Sequence, residues 1–420
     1  MKIRVALYGN THNNLYQMAK LLREELGADA HLFLPKRNRI QNRPESHDPK
    51  LKDDYPDWFH VGAYNSPLAQ YLPMFSPLIK DVEDFDYIVL SQKGPALAPY
   101  LKPKTFFYVT GTDLTRTPFY GRCWRWYKSF PAKLLSLVRT FWQRRGLRHV
   151  DEIWGQPYGP MIDTIQDLGL STYNRQKYFP LILEQIRPSC QGIEPLVSEL
   201  QRDWDFLVFN PSQLLIEDSP DMVATGAWKN NLVLLHGFAR FMKQTGAKRA
   251  ALMVVERRNN HREQTARKRF RQVAQELGIS DNLIFLPPPK SQDVFTRAQV
   301  HCLYEISDVI GDDFGVGGIG SIDIETLSMA KPLVSNVGEE FMQEVYGDHP
   351  VIDVREPEEI ADGLTRLYKD SDYRFKVGQK GRAWYKKHHS PQGARRRYIE
   401  NLEFLRSGGA KSSNGAKNSN

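Results

Sequence analysis

The sequence lacks long apolar runs: nowhere in its 420 residues are eighteen consecutive positions apolar, so no stretch reads as a membrane span. Cysteine is scarce as well. Cys123, Cys190 and Cys302 are few, odd in number and far apart, which argues against a disulfide framework or a zinc site and predicts a reducing, cytoplasmic setting. The opening "MKIRVALYGNTHNN" has too short an apolar run for a signal peptide and no small-residue cleavage site after it, so none is expected. Acid is missing from one region altogether. Between Asp113 and Asp151 there is no Asp or Glu, while residues 121–150 hold eight Lys or Arg. A net charge of +8 placed so unevenly predicts an anionic partner, either a membrane surface or a nucleic acid.

What is present is a regular alternation of strand and helix patterns. "KIRVALYG" reads as a buried strand, "NLYQMAKLLREELG" as a helix stopped at Gly27, and "AHLFLP" as a second strand, which together open a parallel α/β sheet. Residues 35–66 read as a long loop. "DYIVLS", "TFFYVTG", "DEIWG" and "QKYFP" continue the alternation. A second series starts with "DFLVFN" and runs through "ALMVVE", "NLIFLP", "VHCLY" and "PLVSN", with helices between them and three more at the end. The expected fold class is therefore α/β, with two doubly wound Rossmann-like domains facing across a cleft. The expected division is an acceptor domain at 1–186, a linker at 187–203 and a second domain at 204–385. A helix at 386–406 follows, and then a low-complexity tail at 407–420 that is too polar to fold.

The most informative stretch is "GDDFGVGGIGSIDIETLSMAKP", residues 311–332. It contains G-x-G-x-x-G at Gly315, Gly317 and Gly320. A dinucleotide fingerprint should follow a strand at once and open a helix. With "VHCLY" taken as the last strand, "EISDVIGDD" separates strand from glycines, which disfavours that reading. The segment instead resembles the nucleotide-sugar site of GT-B glycosyltransferases, in particular the retaining family-four class. The shared features are a glycine-bearing loop, a Glu early in a helix, "AKP" where the family has "GKP", and a strand.

The resemblance implies a glycosyltransferase that moves a sugar from a nucleoside diphosphate sugar to a glycan or lipid-linked acceptor, with retention, no metal and no cofactor besides that co-substrate. It implies that Glu325 accepts hydrogen bonds from the ribose hydroxyls while Gly318, Gly320 and Ser321 offer loop amides and a helix N-terminus to the diphosphate. The family has a second glutamate eight positions earlier, where this chain has Gly317; Asp313 or Asp312 takes its place. Lys229, before a helix at the start of the second domain, matches the lysine that neutralises the departing diphosphate. The arginine usual five residues earlier is absent, and Arg257 or Arg258 can supply its charge. In the first domain His12, Asn13 and Asn14 follow the first strand and Asp113 follows another, as candidate acceptor and catalytic groups; capping by Thr11 or Asn13, and turn chemistry in "GTD", account for them equally well.

The acid-free segment "GRCWRWYKSFPAKLLSLVRTFWQRRGLRHV" interleaves its cations with Trp124, Trp126 and other aromatics. Arg144, Arg145 and Arg148 cluster near its end. This is the composition of a helix lying in an anionic membrane surface, and a lipid-linked acceptor would require one. No nucleic-acid module accompanies it, so no nucleic-acid partner is expected. A helix face over a core stripe, a nucleotide-sugar epimerase of the same fold and a basic nucleic-acid binder remain the alternative readings.

Overall fold

In the computed structural model, the alternation winds into two all-parallel sheets. The structure describes residues 2–36, 42–46, 48–52, 54–119, 130–155, 159–174, 177–183, 186–216, 223, 228–258, 261–315 and 317–405. The first sheet comprises β1 (Arg4–Tyr8), β2 (Asp29–Pro35), β3 (Phe59–Gly62), β4 (Tyr87–Leu90), β5 (Lys104–Tyr108), β6 (Glu152–Trp154) and β7 (Tyr173–Asn174), in the order β3-β2-β1-β4-β5-β6-β7. The second comprises β8 (Phe206–Asn210), β9 (Ala250–Val255), β10 (Leu283–Leu286), β11 (Val309–Gly311), β12 (Leu333–Ser335) and β13 (Ile352–Asp353), in the order β10-β9-β8-β11-β12-β13. Helices cover both faces of each sheet, so the central strands read as continuous apolar runs. "FLVFN" of β8 and "AALMVV" of β9 are buried at every position.

Both sheets reverse their winding direction once. In the first sheet the reversal lies between β1 and β4, paired through Val5↔Tyr87 to Tyr8↔Leu90. In the second it lies between β8 and β11, paired at Val309↔Val208 and Ile310↔Phe209. At such a point the connecting loops diverge and leave a crevice beyond the carboxyl ends of the strands.

The two sheets are tied by the end of the chain. The helix Ser371–His388 packs Trp384 and Tyr385 with Leu183, Ile319 and Leu327. The helix Pro391–Leu402 then places Ala394, Tyr398 and Leu402 in the core of the first sheet beside Leu15, Phe106 and Trp154. At the crossing His389 is buried and its Nδ1 is 2.9 Å from the Leu181 carbonyl. The Tyr385 hydroxyl donates to the Leu183 carbonyl at 2.6 Å.

Four expectations are corrected. "VHCLY" is not a strand but part of the helix Arg297–Ile306, opened by a capping box in which Thr296 and Gln299 satisfy each other's backbone amides. Its short apolar run fits either element, and the cap at Thr296 decides between them. The true strand, β11, ends at Gly311, so the glycine loop does follow a strand directly. The stretch 35–66 contains the edge strand β3, whose alternating burial is weak, and the described part of "QKYFP", residues 177–180, is irregular. Cys190 and Cys302 form a disulfide across 112 residues, which withdraws the cysteine-based case for a reducing compartment. Sequence spacing did not reveal the pair, because the linker folds back beside the Arg297–Ile306 helix: the Ser189 amide donates to the Ala298 carbonyl at 3.0 Å. The tail beyond residue 405 lies outside the described residues.

Candidate active site

The second crevice is built on a polar brace. After β8, Asn210 donates through Nδ2 to the Gly311 carbonyl at 3.0 Å, tying the ends of β8 and β11 together. Asn231, first in the helix Asn231–Thr245, donates to Ser212 Oγ at 3.1 Å and accepts from the Leu215 amide at 2.9 Å. Lys229 is locked in place by its backbone, since its carbonyl accepts from the Phe314 amide at 3.1 Å. Gly315 is required at this approach: a Cβ there would lie 2.3 Å from the Trp228 carbonyl oxygen.

The Lys229 ammonium therefore faces the loop after β11. It donates to Asp313 Oδ2 at 2.7 Å and lies 4.0 Å from Asp312 Oδ2. Burial opposes its charge, but the two carboxylates outweigh burial and hold it well above the ordinary lysine range. Asp312 is itself raised by burial, with Lys229 pulling it down and Asp313 pushing it up. Its Oδ1 is buried with no hydrogen-bond partner among the described residues. Asp323, in the first turn of the helix Ser321–Ser328, accepts from the Gly320 amide at 2.6 Å. Burial and the nearby Asp312 carboxyl push Asp323 well above the carboxylate range, which favours its neutral form. Gly318, at φ +110°, donates its amide to the Val337 carbonyl at 3.0 Å, holding the loop in a shape open to glycine. Ser321 begins the helix.

Glu325 sits one turn further along and is mostly buried. It accepts from Arg297 Nη2 at 2.5 Å, and its other oxygen lies 3.5 Å from His301 Nε2. Burial alone would raise its pKa, but His301 and Arg297 bring it below the usual glutamate range, so it is a carboxylate. Sequence reasoning missed both partners. They are four residues apart on one face of the helix that was read as a strand, and the T-x-x-Q box at Thr296 was the signal for it. Arg257 reaches the same crevice from beyond β9, donating to the Pro211 carbonyl at 3.0 Å and pairing with Glu263 at 3.2 Å. Arg258 is used elsewhere: its guanidinium donates to the carbonyls of Pro288, Pro289, Lys290 and Gln292, bracing that loop.

The first crevice is assembled differently. Asp113 is buried and accepts from the amides of Thr110, Gln92 and Leu114 at 3.1 Å and from the Thr110 hydroxyl at 2.9 Å. Burial pushes its carboxyl up to about 6 against those donors. Its contacts hold Gln92, a non-glycine residue at φ +56° just after β4. Such a conformation costs about 1–2 kcal/mol and persists only where the surroundings enforce it. Gln143 reinforces it from the helix Phe130–Leu147, donating to the Gln92 and Asp113 carbonyls at 3.1 Å each. Thr11 accepts from Gln92 Nε2 at 2.8 Å. Asn13 is buried, accepts from Asn10 Nδ2 at 2.6 Å and, at the cap position of the helix Asn14–Glu24, makes no side-chain cap bond. Asn14 is buried at the start of the next helix, and the backbone of His12 lies in the turn Thr11–Asn13.

The basic segment divides in two. Trp124 and Trp126 lie outside the described residues. The helix Phe130–Leu147 packs against the short helix Pro67–Tyr71, where Trp142 Nε1 donates to the Tyr71 carbonyl at 2.8 Å. Arg144 donates to the Pro118 carbonyl at 2.6 Å, whereas Arg145 and Arg148 are exposed. Of the twelve large apolar side chains exposed among the described residues, eight lie on this helix or on residues 68–75 beside it, from Leu68 and Phe75 to Phe130 and Phe141. An isolated exposed apolar residue needs no explanation, but a cluster does. No helix among the described residues is long and apolar enough to cross a membrane.

The three Asp-x-Asp triplets of the chain, at 84–86, 203–205 and 370–372, lie away from both crevices. Asp86 and Asp205 precede β4 and β8, and Asp370 caps the helix Ser371–His388.

No family model and no curated protein matches this chain. Solved structures do. Anabaena HepE, in complex with UDP and glucose, superposes with a TM-score of 0.61 over 96% of this chain and 99% of its own, at 15% identity. Sucrose-phosphate synthase from Thermosynechococcus elongatus gives 0.59 over 97% and 100%, at 12% identity. A glycosyltransferase from Rickettsia africae gives 0.58 over 96% and 99%, at 14% identity. The chain has the GT-B fold. In this GT-B chain the two crevices are the switch points of its two domains, one braced by interlocked charges and the other by amides and a strained backbone.

Proposed function

We propose that the protein is a glycosyltransferase that takes a sugar from a nucleoside diphosphate sugar held at the second crevice and passes it to a glycan or lipid-linked acceptor at the first. The observation that carries this reading is the convergence of Lys229, the glycine loop and Glu325 at the switch point of the second sheet. An ammonium has three donors, so Lys229 can keep Asp313 and still hold a diphosphate oxygen. Neutral Asp323 spares the diphosphate a repulsive charge at the helix start. Anabaena HepE, of the same fold, is described with UDP-glucose, which makes that donor the first to test.

In the proposed reaction the bond between the anomeric carbon and the diphosphate oxygen breaks. The diphosphate leaves with the electron pair, stabilised by Lys229 and the loop amides, and an acceptor oxygen bonds to the same face of the sugar as its proton passes to the departing diphosphate oxygen. This charge stabilisation uses the chain's own groups, so the reading includes metal independence. The exposed apolar cluster beside Arg145 and Arg148 supports docking on an anionic membrane, where such an acceptor resides.

Calorimetric titration with UDP and UDP-glucose tests the donor site. Glu325→Ala should weaken both by more than about 1.5 kcal/mol, the scale of hydrogen bonds to a charged group. Equal affinity in the variant and the parent would remove Glu325 from the site, and no binding to either protein would overturn the donor reading.

A further inference from the structure

A cavity of about 100 Å³ opens at the first crevice, lined by Tyr8, Gly9, Tyr64, Gln70, Ser91 and Gln92, with Lys93 and Arg139 among its cations. One water needs about 10–15 Å³ of such space, so the cavity has room for a small polyatomic group. None of its described lining residues is acidic. Two carboxylates stand behind lining residues: Asp81 accepts from the Tyr64 hydroxyl at 2.9 Å, and Asp113 accepts from the Gln92 amide at 3.1 Å. Lys93, exposed at the mouth, and Arg139, deeper on the Phe130–Leu147 helix, both donate to the same neutral oxygen, Gln70 Oε1, at 3.2 and 2.9 Å. Arg139 adds the Tyr71 hydroxyl at 2.8 Å, and its Nε is buried without a partner. Among the described residues neither cation makes an ion pair. Desolvation and repulsion from Arg139 lower the Lys93 ammonium to about 8, as expected for a cation lacking a counterion.

Two adjacent cations share one amide oxygen around a cavity whose described lining has no acid, which gives the cavity a positive wall. The geometry is held at some cost. Gln92 stays in a left-handed conformation to form one wall, and Gly146 brings the helix so close to the neighbouring turn that a Cβ would lie 1.7 Å from the Pro95 carbonyl oxygen. We propose that this cavity receives a phosphate group of the acceptor, held between Lys93 and Arg139. Arginine matches the oxygens of a phosphate with paired donors, and lysine adds a point charge. Ala69 and Gln70 line the cavity while Leu68 and Leu72 of the same segment are exposed in the apolar cluster, so a phosphate on a lipid can reach the cavity from a membrane surface. The inference rests on the first crevice being the acceptor side.

The test uses the full chain with its donor site first saturated with UDP, so that phosphate cannot bind at Lys229. Melting is then followed against inorganic phosphate and, separately, against a short-chain monoalkyl phosphate, with the matching alcohol as control. Binding should raise the melting temperature. In Lys93→Gln the apparent affinity should fall at least about tenfold, the effect of losing a hydrogen bond between charged groups. Lys93 is exposed, so this variant stays readable if Arg139→Gln fails to fold. Equal response to both phosphates indicates a soluble phosphorylated acceptor, and a much tighter response to the alkyl phosphate indicates a lipid one; either supports the proposal. No response with UDP bound, or an unchanged response in Lys93→Gln, overturns it. A chain that fails to bind UDP but still binds phosphate through Lys93 would sink the donor reading and leave the cavity assignment standing.

Discussion

The two switch points of this molecule are topologically alike and chemically opposite. Beyond β8 and β11 opposite charges meet: Lys229 against Asp312 and Asp313, Glu325 against Arg297 and His301. Beyond β1 and β4 the walls are amides and tyrosines, and the cations Lys93 and Arg139 share only a neutral oxygen. The same parallel winding thus supplies a crevice with no commitment to its contents, and side chains at the strand ends decide what each accepts. A crevice of paired charges can exchange a partner for a ligand group at small electrostatic cost. One whose cations share a neutral oxygen favours an anion by charge.

The largest expected difference between the halves is in stability. Only the second carries the Cys190–Cys302 bridge, which closes a loop of 112 residues. On the chain-entropy model a loop of that size is worth up to about 5 kcal/mol. Replacing both cysteines with serine should lower the denaturant midpoint of the second domain, with amide exchange in β8 and β9 accelerated well before that in β1 and β4. Uniform loss across both sheets would mean that the halves do not unfold separately.

The seam between them should be sensitive to acid. Burial, opposed by the hydrogen bond to the Leu181 carbonyl and reinforced by His388, drops His389 to about 3, from an ordinary value near 6.5. The unfolded chain then binds the extra proton, so this contribution is fully present above about pH 6.5 and is lost as the pH falls toward 3. The slope is about 1.4 kcal/mol per pH unit. In His389→Asn, which can keep the bond to Leu181, stability measured by urea unfolding should fall less steeply between pH 6.5 and 4. An unchanged slope would assign acid sensitivity to other groups.

Catalysis separates the crevices next. Lys229→Ala should reduce sugar transfer about 10²-fold, near the low end for removing a donor that stabilises developing charge. It should weaken a nucleoside diphosphate more than the nucleoside and leave phosphate binding at Lys93 intact. A variant transferring sugar at the parental rate would place the charge stabilisation elsewhere. The smallest effect expected is at the surface. Replacing Arg145 and Arg148 with glutamine should cost about 2 kcal/mol of binding to anionic vesicles, at about 1 kcal/mol per cation, and the loss should shrink with added salt. Arg144 is unsuitable for that test, because its side chain braces Pro118. Sedimentation with vesicles that retains the doubly substituted protein in full would end the membrane reading.

Much of the fold was legible in the sequence because it is encoded locally. An apolar run of five or six residues bounded by polar turns and rich in aromatic and β-branched side chains, such as "FLVFN", favours a strand covered on both faces. The loop, acid and "AKP" of residues 311–332 likewise form one continuous piece that carries its own helix start. "VHCLY" shows where local reading fails, since four apolar or aromatic positions in five fit a strand or a buried helix, and only the cap at Thr296 discriminates. The roles of the site residues were less legible. Lys229 and Asp313 are 84 positions apart, and Arg297 and Glu325 are 28 apart. Asp113, which read equally as a ligand contact or as turn chemistry, holds the backbone amides of Gln92, Thr110 and Leu114 in the structure.

By itself, then, the sequence determined the alternation of elements, their parallel arrangement and the glycine-rich turn, since each depends on propensity and burial within a few neighbouring residues. The tertiary structure alone decided which distant groups meet: the disulfide, the partners of Glu325 and the unpaired cations around the first cavity. Those pairings form only after long loops have closed, and the entropy of closure is almost indifferent to which side chains the loop ends carry.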